Sequence, residues 1–131
     1  MQKRRSFYGK KYKSGDVLVD WIFRRFVEIL NKKVDLIVLK RRLRDEKGKL
    51  LDGQWKKENK TIYINPARYS PACGSRKDYD MLVTLVHELS HILFEPARER
   101  EILQAERMLI QKLSDSQKRA LRGFIPKDDG V

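Results

Sequence analysis

The segment TLVHELSHILF, residues 84–94, constrains this chain more than any other stretch. It places His87 and His91 four positions apart within a largely apolar run. Residues four apart lie one above the other on a helix, so the spacing predicts that both imidazoles face one point in space. The apolar surroundings predict a buried helix, where an unpartnered imidazole is destabilising. A ligand shared by both rings would remove that penalty.

A metal ion is the shared ligand that this pattern favours. His87 and His91 are the only histidines in the chain, and Glu88 directly follows the first of them. Glu88 lies about 100° around the helix from His87, where it can reach a metal-bound water without being a ligand itself. The alternative, two core histidines bonded to backbone carbonyls, leaves their clustering unexplained. We therefore expect zinc held by both histidines, with Glu88 as the general base.

Length and cysteine content bound the organisation of the chain. Its 131 residues predict a single domain at 15–125, with a basic arm at 1–14 and a polar tail at 126–131. Because Cys73 is the only cysteine, neither an intramolecular disulfide nor a cysteine-based zinc finger can form. No secretory cleavage pattern follows the basic N-terminus, and no apolar run reaches membrane-spanning length. We expect a cytoplasmic protein without membrane contact.

The formal net charge of +12 predicts attraction to polyanions. Basic residues are spread along the chain and cluster densely only in its first thirteen residues. No nucleic-acid recognition motif accompanies them. A high content of Lys, Arg and Glu is also typical of proteins from hot-living organisms. Nucleic acid therefore remains a possible partner, and the net charge is the only feature that supports it.

The order of local patterns predicts an α+β fold with a packing helix, three strands, the histidine helix, a glutamate-bearing helix and a short last helix. The predicted first helix, strands and glutamate helix span residues 14–33, 34–40, 50–57, 61–66 and 97–113. Asp16 is placed to cap the first helix, and Asp78 or Asp80 the histidine helix. Pro96 should end the histidine helix, because its ring cannot continue the hydrogen-bond ladder.

A third protein ligand is expected, since catalytic zinc usually has three and leaves one position for water. With no further histidine, the choice falls on a carboxylate or on Cys73. On the helix after Pro96, Glu106 points closest to the apolar face, about 40° from its centre, compared with about 60° for Glu99 and 100° for Glu101. We rank Glu106 first. A tight turn would instead bring Glu99 or Glu101 level with the metal.

These motifs in this order resemble the gluzincin metallopeptidases. The resemblance rests on a first helix, three strands ending in KTIYIN, then LVHELSHILF and a glutamate-bearing helix, over about residues 16–113. It is strongest to the small minigluzincins and looser to the ImmA/IrrE-like proteases. It implies a minimal zincin-like domain that hydrolyses peptide bonds, with zinc held by His87, His91 and a glutamate of the next helix. The segment after His91 is shorter than is usual there, so the resemblance does not select that glutamate.

The strand TIYI is the predicted substrate-binding element. If it is the edge strand beside the histidine helix, its free backbone groups can pair with an extended peptide or protein substrate. We therefore expect substrate contacts from Thr61, Ile62, Tyr63 and Ile64.

Two other functions remain open at this stage. A structural zinc protein would close the fourth coordination position, most simply with Cys73. A basic protease of the SprT-like kind, acting on proteins bound to nucleic acid, would use the arm at residues 3–13. Cys73 also lies in a segment faintly like a cysteine switch, which would make the enzyme latent if the thiolate bound zinc.

Overall fold

The computed structural model describes residue 7 and residues 10–67, 69–70, 74–75 and 79–128. Their fold is α+β, as the sequence predicts. In chain order the elements are a 3₁₀ turn Lys10–Tyr12, α1 Val17–Lys32, β1 Leu36–Leu39, β2 Gly53–Lys56, β3 Thr61–Ile64, β4 Tyr69–Ser70, β5 Gly74–Ser75, α2 Met81–Leu93, α3 Glu99–Lys112 and α4 Asp115–Arg122. Among these elements, no helix is long and apolar enough to cross a membrane.

The main sheet has the strand order β1-β3-β2. β3 runs parallel to β1 and antiparallel to β2, so its backbone groups are paired on both sides. Thr61–Ile64 is therefore not an edge strand, and the condition for substrate pairing at this strand is not met. The edge strand that lies beside α2 is β2. Alternation of apolar residues marks a strand in the sequence, but it does not show whether the strand is central or at an edge.

The caps of the first two long helices follow the sequence. The Asp16 carboxylate accepts hydrogen bonds from the backbone N–H groups of Leu18 and Val19. Of the two candidates for α2, it is Asp80 that caps the helix, by accepting from Leu82 N–H at 3.0 Å. Such caps satisfy donors that a helix leaves open at its start. They fix where α1 and α2 begin, and thereby the position of the histidines along α2.

Helix α2 is the centre of the fold. It packs against α1, α3, α4 and one face of the main sheet. The side chains of Ile62 and Ile64 in β3 are fully buried, as are Leu85 and Leu89 of α2. A helix enclosed on so many sides has to be apolar around most of its circumference. This explains the apolar run that surrounds the two histidines.

The described part of the predicted N-terminal arm is docked on the domain. The ring of Phe7 makes edge contacts with Tyr12, Phe23 and Phe124. Gln117 of α4, which is fully buried, donates from Nε2 to the Tyr12 carbonyl at 3.0 Å. Phe7 and Tyr12 thus pack against the core beside α1 and α4.

Asp20 joins this segment to both helices. Its Oδ1 accepts hydrogen bonds of 2.8 Å from Ser14 N–H, from the Ser14 hydroxyl and from Gln117 Nε2. Burial raises the pKa of Asp20, but these donors outweigh it and hold the pKa below its ordinary value. The carboxylate is therefore kept ionised at a buried junction.

Candidate metal centre

The site is built where α2 and α3 meet. The two helices are joined only by residues 94–98, and a connection this short makes neighbouring helices antiparallel. His91 therefore lies near the end of α2, and Glu99 opposite it at the first position of α3. His87 lies one turn further back along α2, facing the next turns of α3. The turn between the helices thus decides which carboxylates the histidines meet.

Three side chains bring their ligand atoms together. His87 Nε2 lies 2.8 Å from Glu99 Oε1, and His91 Nε2 lies 2.9 Å from Glu99 Oε2. The two Nε2 atoms are 3.2 Å apart. Ligand atoms around one tetrahedral ion, each about 2.0–2.2 Å from it, lie roughly 3.3 Å from one another. His87, His91 and Glu99 are therefore close enough to bind a single metal ion.

Glu106 contacts the other nitrogen of His87. Its Oε1 lies 3.0 Å from His87 Nδ1, and both side chains are largely buried. A carboxylate there accepts the Nδ1 proton, which leaves the lone pair of Nε2 directed at the cluster. This hydrogen bond raises the pKa of His87; burial opposes the rise, and the charges of Glu88 and Glu99 add to it. Glu106 thus orients the ring through which His87 takes part in the cluster.

The placement of the three glutamates differs from the sequence ranking. Glu99 reaches both Nε2 atoms, whereas Glu106, the preferred candidate, reaches only Nδ1 of His87. The carboxylate of Glu101 instead accepts the backbone N–H of Arg98 in a helix cap. The reason is that α3 begins directly at Glu99, which gives the tight helix pair rather than a late helix start. Glu106 does point towards the apolar face of α3, but there its carboxylate forms the hydrogen bond to His87 Nδ1.

Glu88 is buried between α2 and the edge strand. Its residue surface is 7% exposed, and its carboxylate accepts a hydrogen bond from the backbone N–H of Trp55. Burial raises the pKa of Glu88 to about 7; the charge of His87 opposes this rise, the charges of the two nearby glutamates add to it, and the Trp55 N–H opposes it. A carboxyl group that titrates near neutral pH can take up and release a proton there, as a general base requires.

Gly53 allows this close contact between β2 and α2. A Cβ atom at Gly53 would lie 2.5 Å from Thr84 Cγ2 and 3.1 Å from Glu88 Oε2. A larger residue fits only if the strand, the helix or the Thr84 side chain moves. The hydroxyl of Thr84 is in turn held by Tyr79 Oη at 2.6 Å. Sequence reasoning missed Gly53, although a glycine inside a strand often marks a close backbone approach.

The backbone of β2 directs some of its polar groups away from β3 and towards the cluster. Asn65 N–H donates to the Asp52 carbonyl at 2.8 Å, which makes this a hydrogen-bonded pair of the antiparallel ladder. Every second pair shares that geometry, so the N–H and C=O groups of Gly53 and Trp55 point away from β3. The hydrogen bond from Trp55 N–H to Glu88 agrees with this direction. The outward groups of β2 therefore lie along the cluster.

Two cavities flank the cluster along β2. One of about 670 Å³ contains Glu99, Glu106 and both histidines in its wall, and one of about 560 Å³ contains Glu88 and Trp55. Gly53 and His91 line both of them, so the cluster lies where they meet. Glu99 opens to solvent, with 60% of its side chain exposed. The cluster is thus reached from an elongated cleft.

Some expectations about the site concern residues outside this geometry. Cys73 lies outside the described residues, so its predicted parts in latency or in a closed zinc site stay predictions. The backbone of Thr61–Ile64 is occupied by its two neighbouring strands, which leaves no free edge there for a substrate. Comparison with protein families, curated proteins and solved structures finds no match to this chain.

Proposed function

We propose that this protein is a zinc-dependent metallopeptidase. The observation that carries the proposal is the meeting of His87, His91 and Glu99 beside the buried Glu88, at the junction of two cavities along an edge strand. Two imidazoles and one carboxylate are the donor set of many catalytic zinc sites. The order of elements, which resembles that of gluzincins, supports the same conclusion.

The residues around the cluster fit such a metal. His87 has its Nδ1 hydrogen-bonded to Glu106, which is the outer contact that metal-binding histidines commonly make. Glu99 places one oxygen beside each histidine Nε2, so either oxygen could bind a cation held by the two rings. A bound zinc ion would supply a water of lowered pKa and would polarise the carbonyl of the scissile bond.

Glu88 performs the proton transfers in this proposal. It takes one proton from the attacking water, and the C–N bond breaks as that proton passes to the leaving amine. Its burial, which raises its pKa to about 7, makes the ionised carboxylate a stronger base than an exposed glutamate. The Trp55 N–H keeps the carboxylate oriented while it changes protonation state. Each turnover returns Glu88 to its starting form.

The substrate is a peptide or protein segment in extended form. Its backbone pairs with the outward N–H and C=O groups of Gly53 and with the outward C=O group of Trp55, so that it becomes an added strand beside β2. In this proposal β2 has the substrate-binding role that was predicted for Thr61–Ile64. The cavities on either side of the cluster then receive side chains before and after the scissile bond. Backbone pairing is independent of side chains, which predicts broad sequence tolerance.

The test combines metal content with hydrolysis. The purified protein, dialysed after incubation with zinc, should contain about one zinc per chain and cleave quenched fluorescent peptides from a random library. Glu88→Gln should keep zinc and fold but lose hydrolysis, because the amide cannot accept the proton. Glu101→Gln, a glutamate held in a helix cap, serves as the matched control and should retain activity. Zinc-free wild type, or full activity in Glu88→Gln, would contradict the proposal.

A further inference from the structure

The face of the main sheet that points away from α2 carries an aromatic ring between two lysines. Side chains alternate along a strand, and Ile62 and Ile64 are buried towards α2, so Tyr63 lies on the opposite face. The ammonium groups of Lys40 and Lys56 lie over the Tyr63 ring, 5.9 and 5.5 Å from its centroid. The three residues lie in or next to three different strands, so the sheet holds their backbone positions side by side.

Amide groups surround the same ring. Asn59 Nδ2 donates a hydrogen bond of 3.1 Å to the Tyr63 hydroxyl. Gln54 is the cross-strand partner of Tyr63, and its buried Oε1 has no hydrogen-bond partner among the described residues. Buried amide oxygens are normally paired, so this amide would gain a hydrogen bond by turning outward to a ligand that offers a donor. We call Lys40, Gln54, Lys56, Asn59 and Tyr63 the open sheet face.

No ion pair among the described residues neutralises the charge of the open sheet face. Lys40 and Lys56 are both exposed, and neither forms an ion pair with another described residue. The chain as a whole carries a net charge of +12. Two free ammonium groups beside a ring and two amides are complementary to a ligand with spaced negative charges and a planar, hydrogen-bonding group between them.

We propose that the open sheet face binds single-stranded nucleic acid. A base stacks on Tyr63, the phosphates on either side of it contact Lys40 and Lys56, and Gln54 bonds the edge of the base. The lysine stems are long and flexible, so their ammonium groups can turn from the ring to phosphates when a base arrives. In a duplex the bases are already stacked and paired, so a ring on a sheet cannot reach them. An acidic protein would satisfy the lysines but would leave the ring and the amides unused.

This inference does not rest on the proposed peptidase activity. The open sheet face lies on the side of the sheet opposite to α2, which carries His87 and Glu88. Nucleic-acid binding can therefore be measured without zinc and without a peptide substrate. Binding at the open sheet face would bring proteins that are bound to the same nucleic-acid strand near the cleft.

The charge test uses a labelled oligothymidylate of about 20 nucleotides and fluorescence anisotropy at several salt concentrations. The double variant Lys40→Gln/Lys56→Gln should bind about 10-fold more weakly. Its slope of log affinity against log salt should be shallower by about 1.4, since each lost phosphate contact on a single strand removes about 0.7. The control Lys32→Gln/Lys47→Gln removes the same charge from exposed lysines of α1 and of the β1–β2 connection. It should change affinity less than about threefold.

The stacking test uses the ring itself. Tyr63→Leu should weaken binding about 10-fold with an unchanged salt slope, whereas Tyr63→Phe should keep the affinity within about threefold. Circular dichroism checks the fold of each variant. Equal losses in the two lysine pairs, equal affinity for a duplex or for polyglutamate, or no binding at all would each overturn the inference.

Discussion

Gly53→Ala should destabilise the protein through a contact that can be named atom by atom. The added Cβ would lie 2.5 Å from Thr84 Cγ2 and 3.1 Å from Glu88 Oε2. The first distance is far inside van der Waals contact, and Thr84 is buried with its hydroxyl held by Tyr79. Either β2 moves away from α2 or Thr84 leaves its rotamer and its hydrogen bond with Tyr79.

The size of the effect follows from the packing of this region. An extra methyl group in a well-packed core typically costs about 1–3 kcal/mol, and we expect about 2 kcal/mol here. For a chain of this length, that corresponds to a fall in Tm of about 8 °C. Alanine also restricts the unfolded chain, which stabilises by about 0.4–1 kcal/mol and partly hides the strain. Gly123→Ala reports that second effect alone, because Gly123 is exposed and has an ordinary helical φ of −62°.

A second substitution separates the two contacts. Thr84→Ser removes Cγ2 and keeps the hydroxyl that Tyr79 holds. In the Gly53→Ala background it should restore about 1 kcal/mol, whereas in the wild type the same loss of a methyl group should cost about that much. The contact with Glu88 Oε2 remains in the double variant. Stability should therefore recover in part, whereas we expect hydrolysis to be impaired in both Gly53→Ala and the double variant at normal zinc content, because the added methyl group displaces Glu88.

Urea denaturation of the wild type, both single variants and the double variant gives the coupling free energy directly. The measurement is made with excess chelator, so that zinc affinity does not enter the free energy of unfolding. A loss below about 0.5 kcal/mol for Gly53→Ala would refute the close approach of β2 and α2. Equal losses with and without the Thr84 methyl group would show that the strain lies elsewhere.

Two further predictions concern the glutamates of the site. Glu106→Gln should weaken zinc binding about 10- to 100-fold, the usual effect of losing an outer hydrogen bond to a ligand histidine. Glu99→Gln should weaken it more, because it removes a ligand oxygen; competition with a coloured chelator measures both, and the reverse order would make Glu106 the ligand. In the zinc-free protein, burial raises the pKa of Glu88 from 4.5 to about 7, so the folded state holds this proton more tightly than the unfolded chain. Its contribution to stability is therefore fully present below about pH 4.5 and is lost, by about 3 kcal/mol, as pH rises to about 7. Denaturation across this range should show that loss in the wild type and not in Glu88→Gln.

The parts of the site that are local in sequence could be predicted, and the parts set by packing could not. His87, Glu88 and His91 lie within five consecutive residues of one helix, so their spacing alone brings them together. The choice between Glu99 and Glu106 depends on where α3 begins after a short connection, and helix ends are the least certain feature of a sequence.

The sheet shows the same limit. The strand TIYI could be recognised from its alternation, but its central position results from β1 pairing with it across more than twenty residues of intervening chain. The edge position of β2 follows from that pairing, and so does the assignment of Gly53 and Trp55 to the cleft. Neither residue carries a catalytic group that a motif would reveal.

The junction of Asp20, Ser14 and Gln117 has a consequence for the folding of the chain. Asp20 and Gln117 are 97 positions apart, and Gln117 and Tyr12 are 105 apart, so these bonds close a loop of most of the polypeptide. Closing so long a loop is entropically costly, and contacts of such sequence separation form slowly. During synthesis they cannot form until α4 has left the ribosome. The segment around Phe7 and Tyr12 should therefore be accessible to proteases in nascent chains and protected only in the completed protein.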